Sequence, residues 1–337
     1  AMKCVYCESE CIVKNGKDQA CGQIIQTYLC KDCGRRFNER SGTPMARLRT
    51  SPETKATHKD CALALKVRSE GLGITATGRV LEKSEGSIIN WEKRLSAQVS
   101  NWSPPAPEGS EVTLEGDEVY TRVGENLPPA ASEGWTINFI ERTSRYWVEA
   151  QAGLKNASLF EKGVKAAWDW AKESEWIRWF TDGERRYGKE LWKLASVYLT
   201  QSETPQTYEY RKVWREGLEV AMKVKGSQGQ PHVEWLRVEH PFTVISPQSE
   251  VHANHNEAHN SSLRRRASAY HRRQNHYAIV VEGLQRALNV QRLIHNWVRP
   301  HWGLEKNQTP AMAMGYLERP VTMLELLSSR GFKFITP

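Results

Sequence analysis

The sequence predicts a multidomain α/β protein, and three features of its 337 residues support this prediction. The seven cysteines lie close to the amino terminus, where a small metal-stabilised unit is expected. Segments with a helical spacing of apolar residues follow, and from residue 111 strand-like and helix-like segments alternate. The net charge of +8 suggests an acidic polymer as partner, most simply nucleic acid.

Residues 1–50 are predicted to form a zinc ribbon that binds DNA. Cys4-x-x-Cys7 and Cys30-x-x-Cys33 each supply two thiolates to one tetrahedral Zn²⁺. A segment this short cannot bury a large core, so a structural zinc would supply its folding energy. Three further thiols are expected to be free: Cys11, Cys21 and Cys61. In a minor alternative, Cys11 or Cys21 replaces one of the four cysteines in the zinc site.

A basic strip follows the second cysteine pair and is expected to contact the DNA backbone. It begins with Arg35 and Arg36 and continues through Arg40, Arg47 and Arg49. The alternative for this strip is a solvated linker that makes no contact with DNA.

Residues 51–100 are predicted to form a helix-turn-helix domain. Three segments have a helical pattern, at 58–70, 74–83 and 87–99, and a Gly-Leu-Gly break separates the first two. The third helix would enter the major groove through its exposed side chains: Ser87, Asn90, Lys93 and Arg94. Its apolar side chains would face the core: Ile88, Trp91 and Leu95. A small helical spacer is the alternative.

Residues 101–110 are rich in proline and serine and are predicted to be a linker. The domain at 111–300 is expected to contain three strands, a helix, a strand and a helix: 111–120, 134–141, 146–151, 156–173, 176–180 and 187–195. A further acidic helix comes much later in the chain. This order is the pattern of a ribonuclease H-like α/β catalytic domain.

Three acids fall where this pattern would bring them together. Asp117 ends the first strand and Asp182 ends the strand after the first helix, so both are expected at one crevice. Together with Glu257 they would bind two Mg²⁺ ions about 3.5–4 Å apart for phosphodiester chemistry. Each acid alone also suits a turn or cap, and the pattern does not choose between Asp117 and Glu118.

The segment around Glu257 is polar and basic. Side chains beside it are expected to contact DNA: His259, Asn260, Arg264 and Arg265. The spacing of His252, His255 and His259 leaves a second zinc site as a minor alternative.

Three further segments complete the chain. Residues 200–231 are predicted to be an insertion whose interleaved basic and aromatic residues suit nucleic acid, although a plain surface insertion fits equally well. Residues 233–245 return as strand-like sequence. An amphipathic helix at 277–297 would cover the sheet or pack a dimer, and residues 301–337 would form a carboxyl-terminal tail.

At these residues the chain resembles the transposases of the bacterial insertion-sequence-one family, which carry an aspartate-aspartate-glutamate active site. The resemblance covers nearly the whole length. Besides the cysteine pairs and the helix-turn-helix, it rests on three blocks: Asp117-Glu118-Val119-Tyr120 with Val123-Gly124, Thr181-Asp182-Gly183, and Asn256-Glu257-Ala258-His259-Asn260 with Leu263-Arg264. It implies that the catalytic acids are Asp117, Asp182 and Glu257. The segment at 200–231 departs from the family by its length.

The resemblance implies binding of terminal inverted repeats, DNA cleavage and strand transfer into target DNA with Mg²⁺ or Mn²⁺. Two ends must be paired, so a homodimer or higher assembly is expected. Alternatives are a DNA-binding transcriptional regulator with an inactive ribonuclease H-like domain, and a nuclease without strand transfer. We expect no membrane association and a cytoplasmic, nucleoid-associated location, since no long apolar run or secretory signal is visible.

Overall fold

The computed structural model describes residues 2–20, 23–46, 48, 57–201, 209–226, 231–236, 244–271 and 277–335. The chain forms two compact units, one of residues 1–102 with 321–337 and one of residues 103–320. The boundary, between Trp102 and Ser103, falls within the expected linker at 101–110. The expected zinc-ribbon and helix-turn-helix regions belong to one unit, and the expected tail at 301–337 is divided between the two.

The first unit contains three strands and four helices in its described part. They are β1 (Ile12–Ala20), β2 (Gln23–Cys30), β3 (Arg36–Asn38), α1 (His58–Ser69), α2 (Ile74–Leu81), α3 (Glu85–Ser96) and, numbered last in the chain, α9 (Met323–Ser328). The strands form one antiparallel sheet with β2 in the centre. Helices α1, α2 and α3 pack on one another, and α9 packs on α1.

The three helices follow from caps and apolar spacing. Thr57 begins α1 with a capping box, since its hydroxyl accepts from the Asp60 amide (3.2 Å) and the Asp60 carboxylate accepts from the Thr57 amide (2.6 Å). The side chains of α3 expected in the core are buried: Ile88, Trp91 and Leu95. A buried ion pair between Arg68 and Glu92 (2.7 Å) joins α1 to α3.

The second unit is built on a six-stranded mixed sheet. Its strands and helices are β4 (Glu111–Tyr120), β5 (Trp135–Glu141), β6 (Trp147–Gly153), α4 (Ala157–Ala171), β7 (Trp176–Asp182), α5 (Arg186–Ala195), β8 (Ser196–Gln201), β9 (Glu209–Trp214), β10 (Leu218–Lys225), β11 (Pro231–Trp235), α6 (Asn254–Arg266), α7 (Val281–Leu293) and α8 (Pro310–Ala313). The sheet order is β11-β10-β7-β4-β5-β6. Strands β4, β7 and β10 are parallel, and the other neighbouring pairs are antiparallel.

Helices cover both faces of this sheet, and nearly every residue of β5 is therefore buried. Ile137 packs against Gly163 of α4 and Phe139 against Tyr187 of α5. The alternate residue Ile140 belongs to a core cluster with Leu263 of α6. Since side chains of a strand point alternately to opposite faces, α4 and α5 cover one face and α6 covers the other.

The segment at 200–231, expected to be an insertion, contributes a strand to the sheet. β10 lies within it and pairs with β7 and β11, so this part is integral to the sheet. β8 and β9 form a separate two-stranded sheet. Residues 202–208 and 227–230 lie outside the described residues, as do residues 237–243 of the segment expected to be a strand.

The structure confirms a multidomain α/β protein: it has two compact units, and the second contains a mixed sheet. In the described part of the chain, no helix combines the length and apolar character that a membrane span requires.

Candidate metal centres

The four paired cysteines converge in the first unit. One sulfur from each of Cys4, Cys7, Cys30 and Cys33 lies within 4.8 Å of the others. The Cys4–Cys33 and Cys7–Cys30 sulfur distances are 3.7 and 3.6 Å. Tetrahedral Zn²⁺ with Zn–S bonds of about 2.3 Å separates its sulfurs by about 3.8 Å, whereas a disulfide needs about 2.05 Å. The spacing therefore fits one zinc ion.

Two similar turns hold the cysteines in place. The Glu8 amide donates to the Cys4 carbonyl (2.9 Å), and the Gly34 amide donates to the Cys30 carbonyl (3.0 Å). Both residues have a positive φ, 59° for Glu8 and 67° for Gly34, so the second turn carries glycine where the backbone is left-handed. Cys11 is exposed and outside the group, and Cys21 is outside the described residues.

A second cluster lies in the sheet unit, where Asp117, Glu118 and Asp182 have carboxylate oxygens within 4.8 Å of one another. β4 and β7 are parallel neighbours, and Gly116 lies opposite Thr181. The next residue of each strand is an aspartate, so Asp117 and Asp182 leave the sheet side by side. This is the juxtaposition that the two strand ends predict.

Crowding and burial perturb all three carboxyls. Burial and the Asp182 charge raise the pKa of Asp117 to about 6. Burial and the same charge raise the pKa of Glu118 to about 7, and burial raises the pKa of Asp182. A divalent cation between them would relieve this repulsion, and carboxylate oxygens are the ligands that Mg²⁺ prefers. The donor set therefore fits a hard metal ion.

The structure distinguishes Asp117 from Glu118. Asp117 accepts a hydrogen bond from Asn260 of α6 (2.8 Å), so it lies on the α6 face of β4. The Glu118 side chain starts on the opposite face, although its carboxylate still reaches the cluster, and the Lys155 ammonium pairs with it at 2.9 Å. Lys155 thus compensates Glu118, whereas Asp117 shares its face with the helix that carries Glu257.

Glu257 is exposed on α6, near Asp117 but outside the tight cluster. Its charge contributes to the raised pKa of Asp117. Among the described residues, the closely spaced carboxylates are Asp117, Glu118 and Asp182 alone, without Glu257. Asn260 lies three residues along the same helix, on the same side as Glu257. Asp117 and Asp182 therefore lie together, and Glu257 is close enough for its charge to act on Asp117 without belonging to the cluster.

The amino terminus of α6 is held by a buried carboxylate that the sequence did not single out. Glu115 Oε2 accepts from the amides of His255 (2.8 Å) and Asn256 (3.0 Å). Its Oε1 accepts from Arg142 Nε (2.6 Å) and contacts His255 Nδ1 (2.7 Å). A carboxylate is favourable at a helix amino terminus, where unpaired amides and the helix dipole attract negative charge.

This contact explains the histidines. His252 and His255 lie close enough to Glu115 to share a metal ion with it. The Glu115 carboxylate, however, already forms an ion pair with the Arg142 guanidinium. His259 is buried elsewhere, against the rings of Trp147 (4.2 Å) and His295 (5.0 Å). The zinc site suggested for His252, His255 and His259 is therefore not assembled.

The expected DNA contacts divide into exposed and engaged side chains. Exposed are Arg35, Arg36, Asn90, Lys93 and Arg265. Arg94 instead donates to the carbonyls of Pro44 (3.3 Å) and Ala46. The Ser87 hydroxyl forms a hydrogen bond with the hydroxyl of Ser84, the N-cap residue of α3 (2.9 Å). Arg264 is half-buried, and His259 and Asn260 are buried.

Arg47 and Arg49 of the expected basic strip lie outside the described residues. Arg36 donates to the Asn15 carbonyl (3.2 Å), and the Arg35 guanidinium lies over the Tyr6 ring (5.1 Å). These two cations are therefore held on the sheet of the first unit while staying exposed.

One residue of the acidic site had no sequence signal, and another had only a weak one. Lys155 precedes α4 and no spacing connects it to Glu118. Asn138 had a weak signal, since β4 and β5 are consecutive strands and it pairs directly with Asp117. The chemistry of the site has to be argued from these residues themselves: comparison of the sequence with protein-family models and with curated proteins yields no match.

Proposed function

We propose that this protein is a DNA transposase that uses metal ions held by Asp117, Asp182 and Glu257. The observation that supports the proposal best is the meeting of Asp117 and Asp182 at two parallel strand ends, on the side of α6 that carries Glu257. The sheet order β6-β5-β4-β7-β10, antiparallel and then parallel, supports the ribonuclease H-like fold that the sequence pattern implies.

Asp117, Asp182 and Glu257 would hold Mg²⁺ or Mn²⁺. Bound there, two such ions would activate a water or 3′-hydroxyl and stabilise the leaving oxygen of a phosphodiester. The chain's own groups position the ligands. Asn260 donates to Asp117 (2.8 Å), and Glu115 fixes the start of α6.

The first unit would recognise the terminal inverted repeats. Asn90 and Lys93 are exposed on α3, the helix proposed to enter the major groove. The exposed Arg35 and Arg36 would contact phosphates beside the zinc-stabilised sheet. Since two ends must be joined, the active assembly would be at least a dimer, acting on the bacterial nucleoid in the cytoplasm.

A strand-transfer assay tests this proposal. The protein is incubated with Mg²⁺, a plasmid target and DNA that carries the inverted repeats flanking its gene, in parallel with Asp182→Asn. We expect joined products from the wild type and none from the variant, because the substitution removes a metal-binding charge while preserving shape.

The other outcomes identify the alternatives. Cleaved ends that are never joined to the plasmid would indicate a nuclease without strand transfer. Tight binding of the ends with no product, in Mn²⁺ as well as Mg²⁺, would indicate a DNA-binding regulator and would overturn the proposal.

A further inference from the structure

A chain of three hydrogen bonds leads from the buried core of the sheet unit to the partly buried Asp117. The Trp147 indole Nε1 donates to Asn138 Oδ1 (3.2 Å), and Asn138 Nδ2 donates to Asn260 Oδ1 (2.7 Å). Asn260 Nδ2 then donates to Asp117 Oδ2 (2.8 Å). The side chains of Trp147, Asn138 and Asn260 are at most 2% exposed, so water does not replace these bonds.

The direction of the chain is set by its first member. An indole N–H can only donate, whereas an amide can donate or accept at either end after a flip. Facing Trp147, Asn138 must present its oxygen, and its NH₂ group then points to Asn260. Asn260 in turn must present its oxygen to Asn138, so its own NH₂ group is directed at Asp117.

The surroundings hold the first two members in place. Asn138 lies directly opposite Asp117 in the β4–β5 pair, and its carbonyl accepts from Asn256 Nδ2 (2.9 Å). The backbone of Trp147 is clamped by Asn296, which accepts from its amide (2.8 Å) and donates to its carbonyl (2.9 Å). The indole N–H is shared with the Glu149 carbonyl (3.1 Å), which keeps the ring in the same orientation.

We propose that Trp147 and Asn138 are positioning residues that set the metal affinity of the acidic site. They act through Asn260, whose fixed donor holds one oxygen of the Asp117 carboxylate in place beside Asp182. If Asn260 flipped, its oxygen would face the Asp117 carboxylate and repel it. The inference rests on the proposed function insofar as Asp117 and Asp182 bind a divalent cation.

Mn²⁺ binding to the full-length zinc-loaded chain tests the inference without DNA or turnover. Free Mn²⁺ is measured by electron paramagnetic resonance during a titration. Trp147→Phe keeps an aromatic ring but removes the N–H, and Asn138→Asp keeps the shape but replaces the donor with an acceptor. Both should weaken binding by on the order of tenfold, the scale of one hydrogen bond to a charged group.

Trp179→Phe is the matched control. Trp179 is also buried in the sheet unit, but its Nε1 has no hydrogen-bond partner among the described residues, so this variant should bind Mn²⁺ like the wild type. A double-mutant cycle separates positioning from general damage. In an Asn260→Leu background, Trp147→Phe should cause no further loss, because the donor through which it acts is already gone.

The outcomes are distinct. Unchanged Mn²⁺ affinity in Trp147→Phe and Asn138→Asp, with binding lost in Asp182→Asn, would overturn the inference and leave the metal site standing. Equal losses in Trp179→Phe, or additive losses in the Asn260→Leu background, would also overturn it. Absence of Mn²⁺ binding by the wild type would overturn both the inference and the proposed metal site.

Discussion

Single residues of the acidic site are arranged at a cost to stability. Asp117 and Asp182 lie in a partly buried crevice. Burial raises the pKa of both, and the Asp182 charge raises that of Asp117 further. The Lys155 ammonium pairs with Glu118, and its charge offsets only part of the rise in the pKa of Asp182. Groups with such perturbed pKa values are typical of functional sites, where local stability is given up for chemistry.

The first prediction is that Asp182→Asn stabilises the protein in the absence of Mg²⁺. The pKa of Asp117 is about 6 in the folded chain and 3.8 without perturbation. Between these values the folded state holds more protons than the unfolded state, so stability falls as the pH rises from about 4 through about 6. Removing the Asp182 charge lessens that fall.

Thermal unfolding at pH 4 and pH 7.5 measures this effect. The midpoint of Asp182→Asn should exceed that of the wild type at pH 7.5, and the difference should shrink at pH 4. Added Mg²⁺ should raise the wild-type midpoint alone, since it binds the folded state only. Asp169→Asn, which removes an exposed partner of Lys165, should give no gain, and an equal gain there would contradict the explanation.

At the level of single residues, the juxtaposition of Asp117 and Asp182 was predictable because a strand end fixes each side chain. Asp117 and Asp182 each end a strand, and parallel neighbouring strands bring such ends together. Lys155 and Asn138 could not be assigned, because their roles depend on face and pairing in the folded sheet. Arg94 was expected to contact DNA, but its guanidinium donates to backbone carbonyls. This contact could not be predicted either, because only the fold brings those carbonyls near.

At the scale of elements, α6 is placed by its amino terminus. Glu115 of β4 accepts from two of its first amides, and Asn256 donates to the carbonyls of Glu115 (2.8 Å) and Asn138 (2.9 Å). These bonds tie the helix to β4 and β5, the strands that carry Asp117 and its partner. The position of Glu257 beside the crevice therefore depends on a residue that is not itself a metal ligand.

The second prediction concerns this clamp. Glu115→Gln should destabilise the sheet unit by about 3 kcal/mol, because it leaves the Arg142 cation without its buried partner. The figure is at the lower end for a broken buried pair because Arg142 is 17% exposed. Urea unfolding followed by circular dichroism measures the change in the free energy of unfolding.

Asp169→Asn serves again as the comparison, since its ion pair with Lys165 is exposed and should contribute less than about 1 kcal/mol. Mn²⁺ affinity should also fall in Glu115→Gln, because α6 is held less firmly. A loss of stability no larger than that of Asp169→Asn would show that Glu115 does not anchor the helix.

Element boundaries were predictable where apolar spacing and caps agreed. The first strand of the sheet unit was expected at 111–120 and is β4, Glu111–Tyr120. β10 was missed because basic and aromatic residues precede Leu218–Lys225 and a Gly-Ser-Gln-Gly-Gln run follows it, which together resemble a surface insertion. Its first five residues are buried, as expected of a strand with neighbours on both sides.

At the scale of the whole molecule, the two units differ in how much apolar core stabilises them. The second unit has a sheet covered by helices on both faces and a large apolar core. The sheet of the first unit has a small cluster around Cys4, Cys30 and Phe37. A cluster of this size needs additional stabilisation, and the sulfur spacing of 3.6–3.7 Å matches a zinc ion.

The third prediction is that zinc stabilises the first unit selectively. The purified chain should carry about one zinc per molecule. In calorimetry, chelation should abolish the unfolding transition of the first unit, while the unfolding transition of the sheet unit keeps its midpoint. Cys30→Ser should have the same effect as chelation, because it removes a buried ligand, whereas the exposed Cys11→Ser should keep both the zinc and the transition.

Zinc content by mass spectrometry separates this explanation from loss of ordinary packing. If Cys30→Ser lowered stability while keeping a full equivalent of zinc, another residue would have to be a ligand. If chelation left both transitions in place, the four cysteines would not be a structural metal site. Loss of end binding together with zinc, at unchanged Mn²⁺ affinity of the sheet unit, would assign DNA recognition to the first unit and metal chemistry to the second.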